Sequence, residues 1–184
     1  MRKAENRHEV ELRLVPGTGT GHPRTLDDAY RSYCRYVGAI ILRLDGRPAE
    51  VDDLIQDVFV EAAAGITRLR EPEAIKGWLA TIAVRTVRRR LRVRRAWRLL
   101  GLDRDPVDTV AVDPRASPAD RVLLRAVYQV LDEMPVQDRL AFTLHIVEGE
   151  TMEAVAKLCG CTLATAKRRV ARGQRLIAQR LGDE

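Results

Sequence analysis

The segment TMEAVAKLCGCTLATAKRRV, at residues 151–170, determines the fold class of this chain more directly than any other stretch. Its apolar spacing predicts two short helices joined at Gly160, a residue that readily adopts the backbone angles of a tight turn. The hydroxyl oxygen of Thr162 is placed to cap the second helix. The outer face of that helix is basic and suits a DNA major groove. We interpret the segment as a helix-turn-helix; the alternative is an ordinary surface helix pair with solvated charges.

The two faces of this motif have different chemistry. The predicted inner face consists of Val155, Ala156, Cys159, Cys161, Ala166 and Val170. Along the second helix, Leu163, Ile177 and Leu181 are predicted to extend the buried side. The predicted outer face carries Thr165, Lys167, Arg168 and Arg169. Such a pattern is typical of an amphipathic helix pair that packs on one side and binds on the other.

Composition indicates a polyanionic partner. The chain has 184 residues, 46% of them hydrophobic, and a net charge of +6, which favours nucleic acid over an acidic membrane. No apolar run approaches the roughly 20 residues that span a bilayer. Residues 1–11 lack the apolar core of a secretion signal. We therefore expect a cytoplasmic protein without membrane insertion.

The three cysteines do not indicate a disulfide or a metal site. Cys34, Cys159 and Cys161 are an odd number in a chain without an export signal, so structural disulfides are not expected. A Cys-x-Cys pair with His145 lacks a second pair of ligands, and both cysteines fall on apolar positions of the motif. No metal and no cofactor is predicted.

The chain divides into two helical modules, because composition changes sharply in its middle. Residues 1–24 contain the run PGTGTG and are predicted to form a flexible tail. Residues 25–98 form the first module. Residues 99–120 are predicted to be an extended acidic linker, since residues 102–120 hold three prolines and five aspartates against two arginines. Residues 121–184 form the second module, which contains the helix-turn-helix. The predicted fold class is all-α, with two small helical domains.

The first module contains a helix with an acidic face. Its apolar stripe consists of Val51, Leu54, Ile55, Val58, Phe59 and Ala62. The opposite face carries Asp52, Asp53, Gln56, Asp57 and Glu61. Phosphates would repel this face, so it is either solvated or docks a basic protein surface.

A later helix of the first module is rich in arginine. It is predicted to begin near Pro72, with Ile75, Trp78, Leu79 and Ile82 on its inward stripe. From Trp78 to Arg98, inclusive, the chain has eight arginines and no acidic residue. Because like charges repel, we expect an anion to stabilise this helix, and a phosphate backbone is the obvious one. A solvated arginine face is the alternative.

Together these motifs resemble the extracytoplasmic-function group of bacterial sigma-70 factors. The run DLIQDVF at residues 53–59, then WLATIA at 78–83 and a basic helix, resembles sigma region two. The runs MPVQ at 134–137, EGETMEAVA at 148–156 and TAKRRV at 165–170 resemble region four. Both motifs occur in the family's order and are separated by a linker of suitable length.

This resemblance implies a function without enzymatic activity. Such proteins bind core RNA polymerase, bring it to promoter DNA and help to open the duplex at the −10 element. An anti-sigma factor is a further implied partner, since the group is often regulated by one. The implied polymerase-binding residues are Asp53, Gln56 and Asp57. The implied −10 contacts are Arg68, Lys76, Arg85, Arg88, Arg89 and Arg90.

The helix-turn-helix corresponds in the same family to the reader of the −35 element. The implied −35 contacts are Thr162, Thr165, Lys167, Arg168, Arg169 and Arg172. Arginine bonds guanine bidentately, whereas lysine and threonine more often hold phosphate, so the three arginines are expected to be the more informative contacts. The aromatic ring of Trp78 could stack on a DNA base, but its predicted position on the inward stripe favours a role in the hydrophobic core.

Two other functions compete with the sigma factor interpretation. A conventional repressor or activator that binds operator DNA as a dimer would explain the helix-turn-helix, but it leaves the acidic face without a role. A nucleic-acid enzyme such as a recombinase needs a nucleophile or clustered metal ligands. Asp52, Asp53 and Asp57 are clustered in sequence, but helical spacing splits them across a surface that lacks an accompanying His or Lys pocket.

Overall fold

The computed structural model describes residues 25–69, 71–102 and 117–182, and for Arg68 and Pro72 it describes the backbone alone. Within these ranges the chain is all-α, as predicted, and no helix is both long and apolar enough to cross a membrane. The helices are α1 (Leu26–Asp45), α2 (Val51–Ala63), α3 (Ile75–Leu99), α4 (Pro118–Glu133), α5 (Val136–Ile146), α6 (Met152–Cys159) and α7 (Leu163–Leu181). The predicted tail, residues 1–24, and the larger part of the predicted acidic linker, residues 103–116, lie outside the described residues.

Helices α1, α2 and α3 pack against one another and form the core of the first module. The predicted stripe of α2 is confirmed: it buries Leu54, Val58, Phe59 and Ala62. Helix α1 ends at Gly46, whose φ of 80° is a left-handed conformation that glycine adopts without strain. The arginine-rich helix α3 begins at Ile75, after a short 3-10 helix at Pro72–Ala74, and not at Pro72 itself.

Helices α4 to α7 form the second module, and α6 and α7 are the predicted helix-turn-helix. The turn residue Gly160 has φ 61° and ψ 49°. Thr162 caps α7 as predicted, because its Oγ1 accepts a hydrogen bond from the backbone N–H of Thr165 at 3.2 Å. Thr151 caps α6 in the same way, and Ser117 forms a capping box with Asp120 at the start of α4.

The prediction that Leu163 belongs to the buried side of α7 is wrong. Leu163 is 37% exposed, because it is the first residue of the helix and directly follows the cap. Ala166 and Val170 are buried as predicted, and Gly173 is buried with them. Ile177 and Leu181 are partly buried against a second hydrophobic cluster. A Cβ at Gly173 would lie only 2.8 Å from the Cβ of Phe142. The absence of a side chain at this glycine therefore lets α7 approach α5 closely.

The two modules pack directly against each other, which the sequence did not predict. One continuous hydrophobic cluster includes Leu79 and Val87 of the first module with Leu144 and Val155 of the second. Polar contacts also join the two modules. Across the boundary, Arg43 pairs with Glu148, Tyr128 Oη donates to the Arg43 carbonyl, Arg95 donates to the Met134 carbonyl, and Arg98 pairs with Asp132.

Arg139 of α5 is the most deeply buried cation of this boundary. It is 2% exposed. Its Nε donates to the Leu44 carbonyl at 3.1 Å and its Nη2 to the Asp45 carbonyl at 2.8 Å, both in the first module. Its Nη1 pairs with the carboxylate of Asp132 in its own module. Burial lowers the pKa of Arg139, while the charges of Asp132 and Asp45 oppose that effect. This side chain therefore satisfies carbonyls at the end of α1 that would otherwise be buried without partners.

Candidate functional site

Helix α2 presents an acidic face to solvent, opposite its core stripe. Asp53, Gln56 and Asp57 are all exposed, and their i, i+3 and i+4 spacing places them side by side. Asp57 accepts a hydrogen bond from Arg89 of α3 at 3.2 Å, with both side chains more than half exposed. Such a surface pair contributes about 0–1 kcal/mol. The three residues implied in polymerase binding therefore form one accessible surface.

Protein carboxylates pair with several arginines of α3, so the expectation that these arginines need an external anion is only partly right. Two of these pairs are exposed, Arg85–Glu61 and Arg89–Asp57, whereas the third joins Arg90 to the largely buried side chain of Glu50. The carboxylates come from α2 and from the 3-10 helix that precedes it, elements far from α3 in sequence. The three arginine side chains remain 60%, 65% and 45% exposed. These guanidinium groups are therefore still accessible from solvent although each has a carboxylate partner.

Arg94 lies in a buried ion cluster behind the exposed arginines. It is 6% exposed and donates to both carboxylate oxygens of Asp45 at 3.0 Å and to Glu50 at 2.9 Å. Burial favours protonation of Glu50, but the hydrogen bonds and charges of Arg90 and Arg94 outweigh it, so the pKa of Glu50 is lowered. Arg94 is thus a structural residue of the arginine helix and is not available to DNA.

Arg88 differs from its neighbours because it contacts the second module. Its Nη2 donates to the carbonyl of Cys159, the last residue of α6, at 2.8 Å. The C-terminal carbonyls of a helix attract a cation. The Nε of Arg88 is buried without a hydrogen-bond partner. One of the implied −10 contacts is therefore engaged between the modules in this conformation.

The remaining implied −10 residues lie near the start of α3. Lys76 is exposed, with its Nζ 4.8 Å from the centroid of the Tyr36 ring. Trp78 is partly buried and packs at the end of α2, where a Cβ at Gly65 would lie 2.8 Å from the Trp78 ring. This packing agrees with the predicted core role of Trp78. The side chain of Arg68 lies outside the described residues.

Helix α7 carries the implied −35 residues on its outer side. Thr162, Lys167, Arg168 and Arg172 are exposed, whereas Thr165 and Arg169 are half-buried. Arg168 Nη2 approaches Thr165 Oγ1 at 3.3 Å, a weak and exposed contact. Five of these residues extend along one helix face from its N-terminal cap, which is the geometry of a recognition helix, while the spacing of Lys167 places it off that face.

A buried carboxylate holds Arg172. Its Nε donates to Oδ2 of Asp138 at 2.7 Å and its Nη2 to Oδ1 at 2.6 Å. Asp138 lies in the first turn of α5 and is 3% exposed. The hydrogen bonds and charge of this carboxylate raise the pKa of Arg172. The result is a bidentate, charge-assisted pair between α5 and α7.

Sequence reasoning missed both Asp138 and Arg139. Helix α5 is buried continuously from Asp138 to Leu144. Its sequence therefore lacks the separate polar face that would have marked Asp138 and Arg139 as residues that contact other helices. The only available signal was an Asp-Arg pair directly before the apolar run LAF at residues 140–142. Adjacent charges before a buried run indicate ion pairs with other elements.

Cys159, in the helix-turn-helix, is a buried residue of the hydrophobic core. Cys159 is 2% exposed, and burial raises the pKa of its thiol to about 11 despite the opposing charge of Arg88. All three cysteines are free. Across residues 25–69, 71–102 and 117–182, no group of His, Cys, Asp and Glu could hold a metal ion.

The two modules match two known family models. Residues 29–98 match sigma-70 region 2, which includes the acidic helix and the arginine helix. Residues 124–176 match sigma-70 region 4, which includes the helix-turn-helix. The chain belongs to the sigma-70 family. Both matches lie in the order that the sequence motifs predicted.

Relatives of this sigma factor include members of the extracytoplasmic-function group. The "ECF RNA polymerase sigma factor SigM" of Mycobacterium tuberculosis is 28% identical over 178 residues, which cover 96% of this chain and 87% of the relative. The "Probable RNA polymerase sigma factor RfaY" of Xanthomonas campestris is 29% identical over 149 residues; these are 79% of this chain but only 37% of the relative's length.

A solved structure shares the fold of this sigma factor. It is the sigma factor RpoE of Bartonella quintana in complex with the anti-sigma factor NepR, with a TM-score of 0.64. The match covers 86% of this chain and 97% of that chain, at 23% sequence identity. The likeness spans both helical modules, so it concerns the fold of the whole described chain.

Proposed function

We propose that this protein is an RNA polymerase sigma factor that directs core polymerase to specific promoters and initiates transcription there. One observation carries the proposal: a region 2 module with an exposed acidic face and a region 4 helix-turn-helix with a basic face occur in one chain. An operator-binding dimer has no use for the region 2 module. The repressor or activator alternative is therefore not favoured.

In this proposal the acidic face of α2 docks core polymerase. Asp53, Gln56 and Asp57 are exposed, and they project from a helix that the core stripe fixes from behind. Charge complementarity between such a face and a basic protein surface speeds association and selects the partner. Because the Arg89–Asp57 contact is exposed and weak, a basic partner displaces it at little cost.

The arginine helix α3 is proposed to bind the −10 element. Lys76, Arg85, Arg89 and Arg90 lie on its exposed surface and supply positive charge to backbone phosphates. Arg88 joins them once it leaves the Cys159 carbonyl. Arg68 is proposed as a further contact on the strength of the sequence resemblance alone.

The recognition helix α7 is proposed to read the −35 element in the major groove. Thr162, Thr165, Lys167, Arg168, Arg169 and Arg172 are the proposed contacts. Threonine and lysine position the helix on phosphates, and the arginines supply base readout. The helix-turn-helix geometry of α6 and α7 supports this assignment.

The proposed partners and setting follow from the same family. Because a related fold is described in complex with an anti-sigma factor, we propose that an anti-sigma factor binds this protein and regulates it. We also propose that the protein works in the cytoplasm, where polymerase and promoter DNA are found, and that it has no enzymatic activity of its own.

In vitro transcription tests this proposal. Core polymerase is incubated with and without the full-length protein on a library of promoter sequences, and the initiated transcripts are sequenced. We expect initiation that depends on the protein and is confined to templates sharing two short elements. A stable dimer that binds duplex promoter DNA tightly without polymerase, and gives no initiation, would overturn the proposal in favour of a repressor or activator.

Charge reversal on α2 tests the docking surface separately. Asp53→Arg is expected to lower core polymerase binding at least tenfold in a pull-down or fluorescence titration, because it places a cation against a basic surface. The matched control is Asp28→Arg, which changes an exposed aspartate of α1. Circular dichroism should show unchanged helicity in both variants. Normal core binding by Asp53→Arg would place the docking surface elsewhere.

A further inference from the structure

We infer that Asp138 is a positioning residue for promoter recognition: its buried carboxylate fixes the guanidinium of Arg172 so that the free edge of that group reads a guanine in the −35 element. This inference rests on the proposed binding of the −35 element by α7. It adds a residue of α5, outside the helix-turn-helix, to the groups that determine promoter sequence preference.

The geometry of the pair divides the guanidinium into a bound edge and a free edge. Arginine has five N–H donors, and Asp138 accepts one from Nε and one from Nη2. The three remaining N–H groups are on Nη1 and Nη2. The Arg172 side chain is 51% exposed whereas that of Asp138 is 4% exposed, so the free edge lies on the solvent side. Two N–H groups on one edge match the O6 and N7 acceptors of guanine.

Packing of α7 on α5 fixes the backbone at Arg172, just as Asp138 fixes its side chain. The neighbouring Gly173 is buried against Phe142 of α5, with no room for a Cβ. Asp138 is anchored in turn, because its backbone N–H donates to the Pro135 carbonyl at 2.8 Å. Both the register of α7 on α5 and the plane of the guanidinium are therefore set before DNA binds. Such preorganisation reduces the conformational entropy that an arginine loses on binding.

A base edge suits this pair better than a phosphate does. The carboxylate of Asp138 partly cancels the charge that Arg172 presents, which weakens attraction to a phosphate. A guanine edge carries no net charge and is recognised by direction and spacing. Arg168 offers a contrast, since its contact to the Thr165 hydroxyl is 3.3 Å long and leaves the side chain exposed.

The experiment is in vitro transcription with core polymerase on a library in which every position of the −35 element is randomised. The wild type is compared with Asp138→Asn, which keeps the shape but removes the charge, and with Arg172→Lys, which keeps the charge but removes the fork. The matched control is Glu133→Gln, which alters the exposed pair between Glu133 of α4 and Arg180 of α7. Thermal unfolding by circular dichroism is recorded for each variant.

We expect Asp138→Asn and Arg172→Lys to lose preference for guanine at the same single position, by roughly tenfold. All other positions should keep their wild-type preference, and Glu133→Gln should match the wild type throughout. A uniform loss of initiation in either variant, without a change at one position, would overturn the inference and assign the pair to phosphate binding or to packing. If Asp138→Asn unfolds, Arg172→Lys alone decides: retention of every base preference rejects the inference. Failure of the wild type to initiate on any template would instead reject the proposed function.

Discussion

Replacement of Arg139 by methionine tests the contact between the two modules. Arg139 is 2% exposed, and it donates to the carbonyls of Leu44 and Asp45 while it pairs with Asp132. Methionine has a similar volume and no charge, so it fills the space without making these bonds. The substitution therefore separates the polar contribution of Arg139 from its packing.

The expected loss follows from the groups left behind. Hydrogen bonds that involve a charged group contribute about 1.5–3 kcal/mol each, and removing one partner of a buried ion pair costs about 3–5 kcal/mol. In the variant, Arg98 still pairs with Asp132, so that carboxylate keeps one partner. The backbone carbonyls of Leu44 and Asp45 lose the hydrogen bonds that Arg139 donates. We expect Arg139→Met to lower the free energy of unfolding by about 3–5 kcal/mol.

Urea denaturation followed by far-UV circular dichroism measures this loss. Because the modules share one hydrophobic cluster, the wild type is expected to unfold in a single transition. The control is Arg180→Met, which breaks an arginine–carboxylate pair that is about half exposed and is expected to cost about 0–1 kcal/mol. A loss below about 1 kcal/mol for Arg139→Met, with an unchanged denaturant slope, would refute the reasoning that Arg139 stabilises the boundary.

Gly173→Ala is expected to lower the free energy of unfolding by about 1–3 kcal/mol, because the new Cβ would overlap Phe142. Urea denaturation measures this loss. A variant more stable than the wild type would contradict the close approach of α7 to α5. Cys159, whose pKa is raised to about 11 from 9.0, should react with iodoacetamide at pH 8 far more slowly than the less buried Cys161, as read by mass spectrometry. Equal labelling of both thiols would contradict the burial of Cys159. The contribution of the Cys159 thiol to the free energy of unfolding should be complete below pH 9 and decline as the pH rises to about 11. Arg85→Ala should change the free energy of unfolding by less than about 0.5 kcal/mol, since the pair with Glu61 is exposed. The same substitution should make promoter binding less dependent on salt concentration, because one phosphate contact is lost. An unchanged dependence of binding on salt would show that Arg85 contacts no phosphate.

The helix boundaries and the two modules were predictable because local rules determine them. Gly46, Pro135 and Gly160 end or join helices by their own backbone preferences. The cap at Thr162 needs only the next turn of chain to form. The stripe of α2 was predictable because helical spacing alone separates its apolar and acidic faces.

The partners of the charged residues were not predictable in the same way. The sequence of α3 from Trp78 onward contains arginines and no acidic residue, which predicted an external anion. The carboxylates that pair with these arginines, those of Glu50, Asp57 and Glu61, come from elements earlier in the chain. Leu163 was placed on the wrong face because helical periodicity does not show where the neighbouring helix begins to cover α7. Spacing within one helix carries no information about which other helix packs against it.

By itself the sequence determined the elements and chemistry of this protein: an all-α chain, an acidic helix, an arginine helix and a helix-turn-helix, since each depends on residues within a few turns of one another. Only the tertiary structure decided which of these charges are exposed and which are engaged. It buried Arg139 between the modules, turned Arg88 toward Cys159 and placed Asp138 behind Arg172. These contacts join residues from 34 to 95 positions apart, and packing between helices, not spacing within one, determines them.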